Sequence, residues 1–218
     1  MLPLTPRQLL QAYAMGVFPM AQHRDDSRLY WVDPEERGIL PLDTFHISHS
    51  LRKAVRKGGF EARCDTAFAR VMELCAEPAP DRPETWINDE IFRLFNELHR
   101  MGHAHSVEVW RDGTLVGGLY GLALGGAFFG ESMFSRATDA SKVALVHLVA
   151  RLIKGGFSLL DTQFVTEHLS RFGAVEIPRE DYQRRLSAAL RRKAVFYGDL
   201  AGDDPLALLS AQSTSQMS

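Results

Sequence analysis

Apolar positions along this chain change their spacing several times, and each change marks a new element. From Thr5 onward, Leu9, Leu10, Tyr13 and Ala14 recur at helical spacing, with Thr5 placed to cap a helix, Pro6 at its first position and Gly16 to end it. The strings V-F-P-M and L-Y-W-V-D-P-E-E-R-G-I-L-P-L follow, proline-punctuated and aromatic-rich, and are expected to form short strands and turns. This predicts a small N-terminal subdomain over 1–41 and a main domain over 42–218, with a polar, mobile tail from about 205.

Helical patterns resume after that. Ser48 or Ser50 can cap a helix that Gly58 stops, and Arg52, Lys53, Arg56 and Lys57 then share one side of it. A helix is expected from Asp65 to Cys75, capped by Asp65 or Thr66, with Phe68, Val71, Met72 and Cys75 inward. A-E-P-A-P-D-R-P-E-T holds three prolines and reads as a surface loop into Trp86. Asn88 or Asp89 starts the next helix, through Ile91, Phe92, Leu94, Phe95 and Leu98 to Gly102.

The spacing then turns to that of strands. Val107 and Val109 stand before Asp112-Gly113, with Leu115 and Val116 after it, a β-hairpin signal. Apolar runs Leu119–Leu124 and Ala127–Met133, separated by Gly125-Gly126, predict two further strands joined by a tight turn. Glu131 sits alone inside the second run, either at a strand end facing water or placed to hold something polar, since a desolvated carboxylate is costly without a partner. A nearly apolar helix beginning at Asp139 or Ser141 and closed by Gly155-Gly156 should be buried. S-L-L-D-T-Q-F is a strand that puts Asp161 and Gln163 on one face. A short helix from Thr166 or Glu167 to Phe172, and one after Pro178 through Arg185 to Ala189 or beyond, close the pattern. This order predicts an α+β fold, a mostly antiparallel sheet backed by helices.

Composition narrows the function. With 218 residues, 45% of them hydrophobic, the chain can bury a full core. Its 25 Lys and Arg against 27 Asp and Glu leave a formal charge of -2, so contact with nucleic acid must come from a local patch. The basic ridge at Arg52, Lys53, Arg56 and Lys57 is the candidate; alone it fits a solvated helix face as readily as a phosphate-binding one. Cys64 and Cys75, two cysteines with no zinc or redox spacing, suit a reducing compartment, and no run of about 18 apolar residues occurs, so a cytoplasmic protein is expected. His103 with His105 on a strand, or His46 with His49 on a helix, could approach a metal, but neither pair has a third ligand spaced to join it; no metal is expected.

Five strings, G-H-A-H-S-V-E-V-W, G-G-L-Y-G, G-E-S-M-F-S, D-T-Q and G-A-V-E-I-P-R-E-D-Y, together resemble the bacterial leucyl/phenylalanyl-tRNA-protein transferases, from about Leu9 to Leu186. The resemblance implies an acetyltransferase-like (GNAT-related) domain. It also implies transfer of leucine or phenylalanine, less readily methionine, from aminoacyl-tRNA to the α-amine of proteins beginning with Arg or Lys, which marks them for degradation. Chemically this is aminolysis of an ester, needing placement, a neutral amine and a donor for the oxyanion, with no cofactor.

On that resemblance, Gln163 accepts a hydrogen bond from the attacking amine as a positioner, Asp161 orients it, and Glu131 holds the polar end of a substrate. Leu119, Phe128, Leu148 and Leu160 match the aminoacyl pocket, Trp86 the adenosine contact, and the basic ridge the tRNA-binding cluster. By spacing alone, D-x-Q fits buried backbone satisfaction better than chemistry, and apolar strand residues are usually core. Members of the family carry F-P-W where this chain has Phe18-Pro19-Met20, and a Gly-rich stretch ahead of the first helix, where this chain starts almost at that helix. A monomer is expected. Two other readings stay open: a coenzyme A-dependent N-acetyltransferase, although S-R-A-T-D-A-S-K lacks the phosphate-cradling glycines, and a non-catalytic tRNA-binding module, which needs no D-x-Q.

Overall fold

The computed structural model describes residues 4–78 and 84–215. In chain order the elements are α1 (Pro6–Ala14), β1 (Phe18–Met20), β2 (Tyr30–Val32), β3 (Glu36–Ile39), α2 (His49–Lys57), β4 (Glu61–Cys64), α3 (Phe68–Ala76), α4 (Asp89–Arg100), β5 (Ala104–Arg111), β6 (Thr114–Leu124), β7 (Ala127–Ser135), α5 (Ala140–Lys154), β8 (Leu159–Gln163), α6 (Glu167–Ser170), β9 (Val175–Pro178), α7 (Arg179–Leu190) and α8 (Pro205–Ser215). β1 and β2 form a two-stranded ribbon, and the other seven strands form one sheet in the order β4-β5-β6-β7-β8-β3-β9. Every pairing in that sheet is antiparallel except β7 with β8. That pair is joined through α5, because parallel neighbours need a long crossover.

Local chemistry explains several of the element ends. Thr5 caps α1 in a reciprocal capping box with Gln8, Ser48 caps α2, Asn88 caps α4 and Thr166 caps α6. Asp112 and Gly113 both have positive φ, 49° and 72°, so the hairpin turns as Asp-Gly predicts. Two hydrophobic cores lie on the two faces of the sheet. One gathers α1, α3, α4 and α7 residues around Phe95, Tyr120 and Phe129; the other packs α5 over Val107, Leu119, Phe128 and Leu160.

Several expectations are corrected. The helix expected from Asp65 begins at Phe68 with no side-chain cap of its own, because Asp65 is in the left-handed region at φ 58° and Glu108 instead accepts the N–H groups of Thr66 and Ala67. β6 is one strand of eleven residues: Gly117 and Gly118, which interrupt the apolar pattern, are paired to β5 on one side and β7 on the other. β4 and β9 are four-residue edge strands with no long apolar run to announce them. β3, within residues 1–41, is a strand of the large sheet, between β8 and β9. Where a mobile tail was expected from 205, α8 begins, with Leu206 and Leu209 buried in the core shared with α5. Much of the proline loop ahead of Trp86 lies in 79–83, outside the described residues.

Candidate active site

β7 and β8 run side by side for only three pairs, Ala127 with Leu159, Phe128 with Leu160 and Phe129 with Asp161. Past Phe129 β7 continues to Ser135 without β8, and a cavity of about 780 Å³ lies where the two strands part. Its walls include Glu131, Gln163, Trp86, Leu119, Leu148 and Leu160. Six of the sequence-derived site residues therefore meet in one place.

β8 carries the polar centre. Asp161 is fully buried and accepts four hydrogen bonds: Oδ1 from Arg37 Nε at 3.0 Å and from the main-chain N–H of Gln163 at 2.8 Å, Oδ2 from Arg37 Nη2 and from Tyr182 Oη, each at 2.6 Å. Arg37 also donates through Nη1 to the carbonyl of Gly16 at 2.8 Å, and its guanidinium lies 4.5 Å from the ring centres of both Phe18 and Tyr182. Burial works against the Arg37 charge, but the bonds and charge of Asp161 outweigh it and raise its pKa. Burial and then the Asp161 charge push the Tyr182 phenol well above its ordinary range. Asp161 is thereby a fixed carboxylate whose contacts are all internal; it does not line the cavity.

Gln163 does line it. Its backbone is left-handed at φ 60°, uncommon for a residue with a side chain, and the Asp161 carboxylate holds the N–H of that turn. The chain can bend there because β3 passes very close: a Cβ on Gly38 would fall 2.5 Å from the carbonyl carbon of Phe164. Gln163 is 7% exposed, and its Nε2 is buried without a hydrogen-bond partner among the described residues. Thr162 Oγ1 and His168 Nε2, in the same cavity wall, are buried and unanswered too. Burial, with the charges of Lys142 and Arg171, holds the His168 imidazole below its usual pKa.

Glu131 faces these groups from β7. Gly121 pairs with Gly130 and Tyr120 with Ser132, so Glu131 is the extra residue of a bulge, which frees its side chain from the strand's alternation. Among the described residues its one hydrogen bond comes from Tyr13 Oη at 2.7 Å. Burial pushes its carboxyl up to about 8; the nearby Asp161 adds to this, while the Tyr13 bond and the Arg37 charge oppose it. Burial and then the Glu131 charge hold the Tyr13 phenol well above its ordinary value.

On the α5 side the cavity is lined by the apolar side chains of Leu119, Leu145, Leu148 and Leu160, among others. Phe128 is not part of it. Its side chain is fully buried against Phe157 and Phe196, and it supports the sheet from the α5 side. Trp86 is half-buried in the cavity wall, and Met20 lines the cavity as well. Phe164, 46% exposed, stands edge-on to Phe18 at 5.9 Å and lines the same space.

Sequence reasoning missed Arg37, Tyr13, Tyr182 and Phe164. Tyr182 lay inside the recognised G-A-V-E-I-P-R-E-D-Y string, and Arg37 followed Glu35 and Glu36 in a charged run that reads as surface. Outside the cavity, Arg52 is half-buried and Lys53, Arg56 and Lys57 are exposed on α2, and none pairs with a carboxylate among the described residues. Leu51 anchors that helix in the core that also holds Leu145, Leu148 and Leu160. His105 is hydrogen-bonded to Asp65 at 2.8 Å and stacked on Phe196. Among the described residues no three His, Cys, Asp or Glu converge as a metal site, and no helix is long and apolar enough to cross a membrane.

Two family models match the chain: Leucyl/phenylalanyl-tRNA protein transferase over residues 39–187, and the N-terminal domain of the same family over residues 3–35. A protein of Paramagnetospirillum magneticum called leucyl/phenylalanyl-tRNA--protein transferase is 69% identical over 196 residues, covering 90% of this chain and 94% of its own length. One of the same name from Rhodospirillum rubrum is 56% identical over 215 residues, 99% of both chains. Among solved structures, L-PGS from Bacillus licheniformis aligns at a TM-score of 0.44 and 12% identity, over 73% of this chain and 66% of that one.

Proposed function

The chain belongs to the leucyl/phenylalanyl-tRNA protein transferase family and is an aminoacyltransferase that draws on aminoacyl-tRNA; we propose that it moves leucine or phenylalanine, less readily methionine, to the α-amine of proteins beginning with Arg or Lys. The observation that carries this reading is Gln163: a carboxamide held in a strained turn by a buried aspartate, with an unused donor at the wall of a cavity. Strain of this kind is kept where it serves a site.

In this reading the amine nitrogen attacks the carbonyl carbon of the aminoacyl ester, the bond to the ribose oxygen breaks, and the proton shed by the amine ends on the departing ribose hydroxyl. Gln163 Oε1 accepts from the amine and aligns it, and Nε2 is free to donate to the carbonyl oxygen as it gains charge. Asp161, with Arg37 and Tyr182 behind it, sets where the carboxamide points. Leu119, Leu148 and Leu160, joined by Leu145, take the aminoacyl side chain. Trp86 stacks on the terminal adenosine, with Met20 and Phe164 beside it in place of a second tryptophan. Arg52, Lys53, Arg56 and Lys57 bind the tRNA backbone. Glu131 takes the cationic side of the acceptor: a carboxyl with its pKa near 8 gives up its proton when a guanidinium or ammonium is buried beside it.

The one parallel pair in an otherwise antiparallel sheet, parting to open the cavity, suits an acetyltransferase-like domain. The reaction requires no cofactor, and Cys64 and Cys75, which are not joined in a disulfide, suit a monomer working in the cytoplasm.

The test uses labelled leucyl-tRNA or phenylalanyl-tRNA, a protein beginning with Arg and a control beginning with Ala, without coenzyme A or metal. Label is expected on the Arg-initiated protein alone. Equal labelling of both acceptors refutes the acceptor rule, and no labelling refutes the reading.

A further inference from the structure

Gly130, Glu131, Ser132, Met133, Phe134 and Ser135 all line the cavity. Side chains alternate along a strand, so six consecutive residues can border one space only if the main-chain edge itself faces it. That edge is unpartnered among the described residues. β7 pairs with β6 on one side, and on the other its pairing with β8 stops at Phe129. Proteins usually cover or blunt an edge of this length, because its free N–H and C=O groups invite another strand.

Gly130 adds a second observation. Its φ is not in the left-handed region, and a Cβ there would meet Asp161 O at 3.6 Å and Leu160 Cδ1 at 3.9 Å, ordinary contacts. Neither conformation nor internal packing requires glycine at this position. What a side chain there would take up is cavity, beside Glu131. Glycine at such a place lets another backbone approach closely.

From these we propose that the acceptor polypeptide binds by strand addition: its first residues lie extended along the β7 edge from Gly130 toward Ser135. The inference rests on the reading above that the acceptor is a protein N-terminus. The cleft is closed where Phe129 meets Asp161 and widens toward Ser135, so a chain entering from the wide end presents its α-amine to Gln163 and Glu131 and runs parallel to β7. Main-chain pairing supplies affinity that is indifferent to the second and later side chains, and the first side chain alone is selected. An enzyme that acts on many proteins through one terminal residue needs that division.

Strand pairing has a period of two, and this is what the experiment reads. Five-residue peptides beginning with Arg are prepared with the amide N–H of residue 2, 3 or 4 replaced singly by an ester oxygen, which removes one donor and adds no bulk. Leucine transfer from leucyl-tRNA should show KM for the peptide raised about tenfold at positions of one parity and unchanged at the other, with kcat held. Equal sensitivity at all three positions, or none, overturns strand addition; if the unmodified peptide still accepts leucine, the proposed function survives that failure. An unmodified peptide that accepts nothing removes both. In the enzyme, Gly130→Ala should raise KM for the peptide several-fold and leave KM for leucyl-tRNA in place. Two unchanged KM values would also count against the proposal.

Discussion

Glu108 and Glu131 are two glutamates of one sheet, two strands apart, and their surroundings are opposite. Glu108 is fully buried and takes five donors: the N–H groups of Thr66 and Ala67, the hydroxyls of Thr66 and Ser106, and the Trp110 indole. Glu131 has one among the described residues, from Tyr13, and a cavity in front of it. The first carboxylate closes the start of α3 where that helix has no cap of its own, so it belongs to the fold. The second is left short of partners in a place where a ligand can supply them. Burial alone does not mark a functional carboxylate; unanswered capacity facing open space does. Asp161 belongs to the Glu108 kind although it stands beside the cavity, and by this criterion it is a support for Gln163.

The largest effect should come from the support. Arg37→Leu leaves the Asp161 charge buried beside only neutral donors, and we expect about 3–5 kcal/mol of lost stability by denaturant unfolding, with transfer lost in what remains folded. A variant that unfolds like the parent would mean that Asp161 is not held as described. Glu108→Gln should cost about 1–3 kcal/mol, since an amide nitrogen replaces an acceptor among donors, and kcat of the folded enzyme should not change. A drop in kcat without a drop in stability would erase the contrast between the two glutamates.

Gln163→Ala reverses the signature. Its carboxamide nitrogen binds nothing among the described residues, so stability should stay within about 1 kcal/mol while kcat falls about 10²-fold, the usual scale for one well-placed donor. Affinity for tRNA should be unaffected. Normal turnover would show that the strained turn has another purpose.

How much of this could be read from the residues follows a physical line. Asp161 and Gln163 were legible as a pair near the end of one short strand, as were the Asp112-Gly113 turn and the helix carrying the basic ridge; the left-handed backbone that puts Gln163 on the cavity while Asp161 turns inward was not. Arg37 and Tyr182 reach Asp161 from 124 and 21 residues away, and such pairings leave no periodic trace. Phe128 and Leu119 looked alike as strand apolars; only the packing of Phe157 and Phe196 against the former separates core from pocket wall. Asp65 was a plausible helix cap by type, but its backbone turns left-handed and its carboxylate goes to Ser106 and His105.

Glu131 carries a pH signature. Its pKa rises from an ordinary 4.5 to about 8 on folding. Between those values the folded protein holds a proton that the unfolded chain has released, so this residue's contribution to stability is complete below about pH 4.5 and is lost as pH rises through 8. Relative to Glu131→Gln, the parent should lose stability steadily from pH 5 to pH 8, read from urea midpoints at each pH. Parallel curves for the two proteins would place the carboxyl in a wetter setting than its single partner suggests.

The smallest effect on the fold should come from α2, where the cations face solvent and contribute little to holding the chain together. Arg52→Ala with Lys53→Ala should shift stability by no more than about 0.5 kcal/mol, because no described carboxylate loses a partner. The consequence belongs in tRNA binding. If both side chains neutralise phosphates, the slope of log affinity against log salt should fall by roughly 1.5, near 0.7–0.9 for each contact. The same variant should leave kcat at saturating aminoacyl-tRNA unchanged, because α2 adds no residue to the cavity that Gln163 lines. Loss of affinity with an unaltered slope would mean that these residues act through packing, and the ridge would then be a solvated helix face with no part in binding.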